Sequence, residues 1–264
     1  MRKTTFVALV IVMASCAPVE KTSEITHRPQ LDSSRSVADI SPDTLYTILE
    51  RDHLIKGHPR NVKVSIITKN LTDVDKPEVA TNYIAALFQT EEKDSVIIHN
   101  SILAVFDPSQ KMKLVTSTIP DLADGVFFYD DHGVERASGQ GPRLSIGAVR
   151  LADGGEVIAI TAKISKQYVK GVEDDDDVWM YALYKNEMLM IHQYSIRFNH
   201  RLIGDNNYIR DTSSDTELII DSTKTRGMYD ITQRTIVDVS GTDGGNTSET
   251  TEHYSFNGKE YIRN

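Results

Sequence analysis

The sequence predicts a mainly β protein made of antiparallel sheets, arranged as a sandwich or as an incomplete, propeller-like set of three similar hairpin units, with one short helix at its amino end. Three observations predict it. Apolar residues fall at helical spacing only between Ser41 and Gly57; beyond that they alternate or run on between turn residues; and the turns carry residues that hairpins need.

The helix comes first. Ser41-Pro42-Asp43 supplies an N-cap oxygen, a preset φ in the first turn and an acid near the positive end of the helix dipole. Leu45, Ile48, Leu49 and His53 then recur on one face, and Gly57 with Pro59 ends the pattern.

The strands follow. Expected strand cores are Val62 to Ile67, Tyr83 to Phe88, Val96 to Ile98, Ile102 to Phe106, Lys113 to Thr116, Val126 to Tyr129, Ser145 to Arg150 and Val157 to Ile164. Val178 to Tyr184, Met188 to Arg197, Leu218 to Asp221, Thr235 to Val239 and a terminal hairpin complete the series. Asp107-Pro108-Ser109-Gln110 reads as a type I turn, with a side chain that can bond back to the backbone. Asn257-Gly258 reads as a type I′ hairpin turn, which would pair Phe256 with Lys259 and Tyr254 with Tyr261.

A faint repeat underlies these runs. Tyr83 to Phe88, Val157 to Thr161 and Leu218 to Asp221 each open a unit ending in a hairpin: Leu103 to Leu114, Ala182 to Met190, and Tyr254 to Ile262. Phe106, Tyr184 and Phe256 stand at the edges of the three turns. The pattern is loosely similar to FG-GAP blade repeats of integrin-like propellers, but it lacks their Asp-x-Asp-x-Asp-Gly calcium loop, and three units are too few to close a ring.

The amino end is a separate matter. Arg2 and Lys3 precede an uncharged run from Phe6 to Met13, the n-region and h-region of a secretion signal. That run is much shorter than the roughly 20 apolar residues a helix needs to cross a bilayer. Met13-Ala14-Ser15-Cys16 resembles the lipobox of bacterial lipoproteins, with Met where Leu is commonest and Ser where Gly or Ala is commonest. The resemblance covers the first sixteen residues and implies that residues 1 to 15 are a cleaved signal peptide. Cys16 would then carry diacylglycerol and further acyl chains, and through them partner the membrane.

The expected location is the bacterial cell envelope. In a diderm source, Ala17, which is not the aspartate of an inner-membrane retention signal, points to the outer membrane. Residues 16 to 40 are rich in Ser, Thr, Pro and charge and read as a lipidated tether with a span of about 27 Å. Residues 41 to 264 would form a single globular domain.

Composition excludes several classes. The chain carries a net charge of -9; removing residues 1 to 15 takes away two cations and no acid, so -9 - 2 = -11. Such a protein repels phosphate backbones and is not expected to bind nucleic acid. Cys16 is the one cysteine, so once it is acylated no disulfide, iron–sulfur cluster, cysteine zinc site or cysteine nucleophile remains. No His-Glu-x-x-His, Gly-x-Ser-x-Gly or phosphate-loop motif occurs, and no cofactor is expected.

The remaining polar groups carry little chemistry by spacing. Asp174-Asp175-Asp176-Asp177 could gather calcium, but ligands normally alternate around a Gly turn, so the run reads as a solvated acidic loop entering a strand. Asp205-Asn206-Asn207, Asp243-Gly244-Gly245-Asn246 and the Asp73, Asp75, Pro77 group read as turns, and Gly139-Gln140-Gly141-Pro142 as a loop. Asn70-Leu71-Thr72 and Asn246-Thr247-Ser248 fit a glycosylation acceptor and read as loop residues. His192 and His200 share a parity, yet on one strand they would stand about 26 Å apart, too far to share a metal.

The expected function is therefore a membrane-anchored, non-catalytic binding or interaction protein, with another envelope protein as the expected partner. The alternative is an envelope hydrolase, calcium-assisted in one version, using Asp174 to Asp177 and Asp205. A structural envelope role is the third.

Overall fold

A computed structural model describes residues 41–51, 62–90, 101–120, 127–129, 135–137, 143–168, 171–203, 209–242 and 244–264. Cys16, the signal, the tether, His53, Val96 to Ile98, Gly139 to Pro142 and Asp205 to Asn207 lie outside these residues. The helix α1 spans Pro42–Arg51, and the strands are β1 Val62–Asp73, β2 Lys76–Thr90, β3 Ser101–Asp107, β4 Lys113–Thr118, β5 Phe127–Tyr129, β6 Glu135–Ala137 and β7 Arg143–Val149. They continue as β8 Val157–Tyr168, β9 Gly171–Tyr184, β10 Glu187–Ile203, β11 Ile209–Thr225, β12 Met228–Gly241, β13 Asn246–Phe256 and β14 Tyr261–Arg263. The protein is mainly β with one short helix, as its periodicity predicts.

The helix starts as its sequence requires: the Asp43 N–H donates to Ser41 Oγ at 3.2 Å, and Leu45, Tyr46 and Leu49 are buried. At Asp107 the expected turn is a single 3-10 turn, whose carboxylate accepts from the Ser109 N–H, the Ser109 hydroxyl and the Gln110 amide. These donors, the Ser109 hydroxyl foremost, hold the Asp107 carboxyl below the usual carboxylate range.

All strands join one hydrogen-bonded network, ordered β14-β13-β12-β11-β10-β9-β1-β2-β3-β4, with β8 sharing with β1 the edge of β9 opposite β10, and β7 and β5 joined to β8. It is unclosed and mixed, because Asp73 meets Leu183, and Tyr129 meets Tyr168, in parallel. The three predicted hairpins exist, but they join this one mixed sheet and do not stand as separate blades or separate antiparallel sheets.

Strand alternation explains the layers. On β2 and β3, Ala85, Leu87, Leu103 and Val105 point one way, where they meet Ile158, Ile160, Trp179 and Tyr181 from β8 and β9. Ile84, Phe88, Ala104 and Phe106 point the other way, under Leu45 and Leu49 of α1. Of β8 and β9, the opposite parity, Val157, Ala159, Val178 and Met180, lines a second core with Ile191, Leu218, Ile231, Phe256 and Tyr261. Each fully buried large side chain contributes roughly 1.5–3 kcal/mol, so three such clusters dominate the stability.

The second core is wrapped by the curl of β8 to β12. Its two ends meet where Ala152 bridges Met228 and the Tyr229 N–H donates to the Leu151 carbonyl at 2.8 Å. Asp153 fastens the same seam, accepting from Lys224 and, at 2.6 Å, from the Tyr229 hydroxyl.

Several expectations on turns are corrected. Asn257-Gly258 is not a two-residue turn: Phe256 pairs with Tyr261 and Tyr254 with Arg263, so the loop holds four residues. The Asn257 side chain sets it by accepting from the N–H groups of Lys259 and Glu260, which fixes a wider loop. Two-residue turns with positive φ occur instead at Lys185-Asn186 and Arg226-Gly227. Asn70-Leu71-Thr72 lies inside β1, and Asn246-Thr247-Ser248 opens β13, so neither is a loop.

Candidate functional site

Beyond the cores, the distal halves of β9 to β13 run on as a sheet wing. Residues 201–203 at the end of β10 and residues 246–251 of β13 are all exposed, so both faces of the wing meet solvent there. The parity of cross-strand partners sorts the side chains of this wing onto two unlike faces.

One face is laid with polar rungs. Lys163 pairs with Asp176 across β8 and β9, Arg197 with Asp215 and Arg201 with Asp211 across β10 and β11. Arg234 of β12 reaches Glu217 on one side and Glu249 on the other, and Thr247 donates to Asp238 at 2.6 Å. Arg201 holds the Asp211 carboxyl below its ordinary range by hydrogen bonding, and Asp211 raises Arg201 in return. The last rung is Asp221–Thr232–His253. Thr232 Oγ1 lies 3.0 Å from Asp221 Oδ2 and 2.8 Å from His253 Nδ1. Its single proton goes to the carboxylate, which can only accept, so His253 presents its Nδ1–H to the hydroxyl.

The other face is nearly free of charge across β10 to β13. In register it carries Phe198 beside Ser214, Ser214 beside Val237, and Val237 beside Ser248, with Thr216 and Thr235 hydrogen-bonded at 3.0 Å.

The acidic run lies in this wing, and its reading as a loop is corrected: Asp174 to Asp177 sit within β9. Alternation sends Asp174 and Asp176 to the face of Ser165 and Lys163, their partners across β8, and Asp175 and Asp177 to the other. No three His, Cys, Asp or Glu side chains converge as a metal site among the described residues.

Where the uncharged face runs inward it becomes the polar lining of the second core. His192 is buried, and its Nε2 lies 2.7 Å from Gln233 Nε2; the amide donates, so the neutral imidazole carries its proton on Nδ1. Tyr254 and Tyr261 meet the ring edge-on, at 5.0 and 5.7 Å between centroids, and Tyr194 stacks on it at 5.9 Å. Burial pulls the His192 pKa down to about 4 and pushes the Tyr194 and Tyr261 hydroxyls up beyond their usual range. Tyr254 is raised to about 12 by burial, with its hydrogen bond to Glu252 second. Tyr261 donates to the Tyr229 carbonyl at 2.6 Å, whereas the Tyr194 hydroxyl has no hydrogen-bond partner among the described residues.

No protein-family model, curated protein or solved structure matches this chain.

His192 and His200 do share one strand, β10, which runs past the expected Met188 to Arg197, and sequence reasoning missed the His192 cluster and the rungs altogether. Their members come from strands far apart in sequence, and the one local signal was a histidine on an otherwise apolar face of β10. Asp73 and Asp75 do form a turn: Asp73 accepts from the N–H groups of Asp75 and Lys185, and Asp75 pairs with Lys185. No helix of the described residues is long and apolar enough to cross a membrane.

Proposed function

We propose that this protein is a lipid-anchored, exported binding protein whose sheet wing meets another component of the bacterial envelope. The anchor rests on the lipobox-like Met13-Ala14-Ser15-Cys16 and the signal-like run before it. The binding half rests on one observation, the solvated wing of β9 to β13 with its unlike faces. A bilayer-bound protein needs no sheet extending past its cores to be stable, so such a surface is available for recognition.

Two features of the wing suit a protein partner. The outer edge of β13 from Asn246 to Glu252 pairs with no strand among the described residues, because β14 covers only Tyr254 to Phe256. Such an edge offers backbone donors and acceptors to an added strand. The rungs beside it, built from ion pairs and charged hydrogen bonds, offer geometry-specific contacts that contribute selectivity.

The test has two arms. Mass spectrometry of the membrane-bound protein should find an amino terminus at acylated Cys16, and Cys16→Ala should leave the signal uncleaved; an intact terminus or a start elsewhere overturns the anchor. Photo-crosslinkers at Thr247 and Thr250, compared with one at Thr47 on α1, should capture one discrete envelope protein from the wing alone. Equal or absent capture overturns the binding assignment.

A further inference from the structure

Beyond its backbone ladder and rungs to β12, the terminal hairpin is held to the body by a few rings. Of β13 and β14, only Phe256 and Tyr261 are buried; residues 246–251 are exposed throughout. Tyr261 contacts Phe256 at 5.5 Å between centroids and His192 at 5.7 Å, and Tyr254 packs on His192 at 5.0 Å. His192, reaching across from β10, is thus the side chain on which Tyr254 and Tyr261 both converge.

As it stands, that contact is made to a neutral ring. Nε2 accepts from the Gln233 amide, and a proton placed there would set donor against donor at 2.7 Å until the amide turned its oxygen to the ring. The elements packed around it supply little to offset a positive charge. β10 itself brings Tyr194; β9 brings Met180, apolar and opposite in register; β11 brings Leu218. β12 brings Gln233, and Asp230, whose charge is felt at the Tyr261 hydroxyl; Arg234, the next residue, is turned to the rung face. β13 brings Tyr254, which with Arg263 of β14 already engages Glu252, and His253, bound to Thr232.

We propose that His192 is the pin of an acid-released latch: taking up a proton breaks its fit with Gln233, Tyr254 and Tyr261, and hairpin β13–β14 lifts from the sheet, exposing Phe256 and Tyr261. The low proton affinity of the buried ring is what couples opening to acid, since the released imidazole binds a proton more tightly than the closed one. The latch goes beyond the binding assignment and does not rest on it.

Amide hydrogen exchange on the whole chain, corrected for the intrinsic rate at each pH, tests it. Peptides covering residues 254–263 should open ~20-fold more at pH 5 than at pH 7, while residues 84–88 and 102–106 stay protected. Trp179, in the other core, should keep its fluorescence. His192→Phe should abolish the acid step. Gln233→Glu, which gives the imidazolium a carboxylate, should suppress it independently and serves where His192→Phe does not fold. An unchanged hairpin in the wild type, the same step in His192→Phe, or a wild-type step in Gln233→Glu overturns the latch. None of these readouts depends on lipid or on a partner.

Discussion

Gly227 sits against Pro77 so closely that a Cβ on the glycine would lie 2.3 Å from the proline Cγ. The two residues join the β11–β12 turn to the start of β2, 150 positions earlier in the chain. Gly227 also holds φ at +82°, which an L side chain rarely adopts. Gly227→Ala should therefore destabilise the protein by about 2 kcal/mol through overlap and backbone strain together. Pro77→Ala in the same chain should recover only the overlap, roughly half. Urea denaturation of both variants checks this, and full recovery would leave no role for φ.

Tyr194 carries a hydroxyl that is buried without a hydrogen-bond partner among the described residues. An orphaned buried hydroxyl costs about 1–3 kcal/mol. Tyr194→Phe keeps the stacking on His192 and removes that cost, so its urea midpoint should rise, by about 1 kcal/mol in stability. A fall would mean that the hydroxyl is bonded.

These two sites show what was legible in the sequence. The helix was, because Ser41-Pro42-Asp43 carries its own start signal, and so were the strand cores that bury one face. The lengths of the strands were not. Asp174 to Asp177, Arg210 to Glu217 in β11 and the start of β13 are polar at every position because both faces of the wing are solvated, and no alternation marks them. Lys185-Asn186 adopts the turn that Asn257-Gly258 advertises, since the fold of the flanking strands and the Asp73 carboxylate decide it, not the dipeptide. The partnership of His192 with Gln233 spans 41 residues and leaves no local trace.

Calcium tests the calcium-assisted version of the hydrolytic alternative. Because β9 divides Asp174 and Asp176 from Asp175 and Asp177, the run cannot close around one ion, which takes six to eight oxygens. Thermal melting in millimolar calcium, magnesium and chelator should give the same midpoint within about 1 °C. A calcium-specific rise lost in Asp174→Asn/Asp176→Asn would restore the metal site.

The rungs should matter little to stability. Arg201 and Asp211 make a close pair, yet their side chains are 61% and 39% exposed, where ion pairs are worth about 0–1 kcal/mol and are screened by salt. Arg201→Ala should cost under about 1 kcal/mol in dilute buffer and less at 1 M salt. A larger, salt-insensitive loss would mean that the wing's register depends on this pair and not on its hairpin turns.

The pH dependence of global stability follows from His192. Burial lowers its pKa to about 4 in the folded protein, against about 6.5 unfolded, so below neutrality the unfolded chain binds the extra proton. Stability from the neutral ring is complete above about pH 6.5 and is lost as pH falls toward 4, at about 1.4 kcal/mol per unit and roughly 3 kcal/mol in all. Asp107, Asp153 and Asp211, whose carboxyls are held low by hydrogen bonds, contribute in a different window: their share is present above about pH 4 and goes only below it. Urea titrations at half-unit steps should thus show a loss between pH 6.5 and 4 that His192→Phe removes and a steeper loss below pH 4 that it leaves. A flat wild-type profile from 6.5 to 4 would mean that the imidazole is as readily protonated in the folded chain as in the unfolded one.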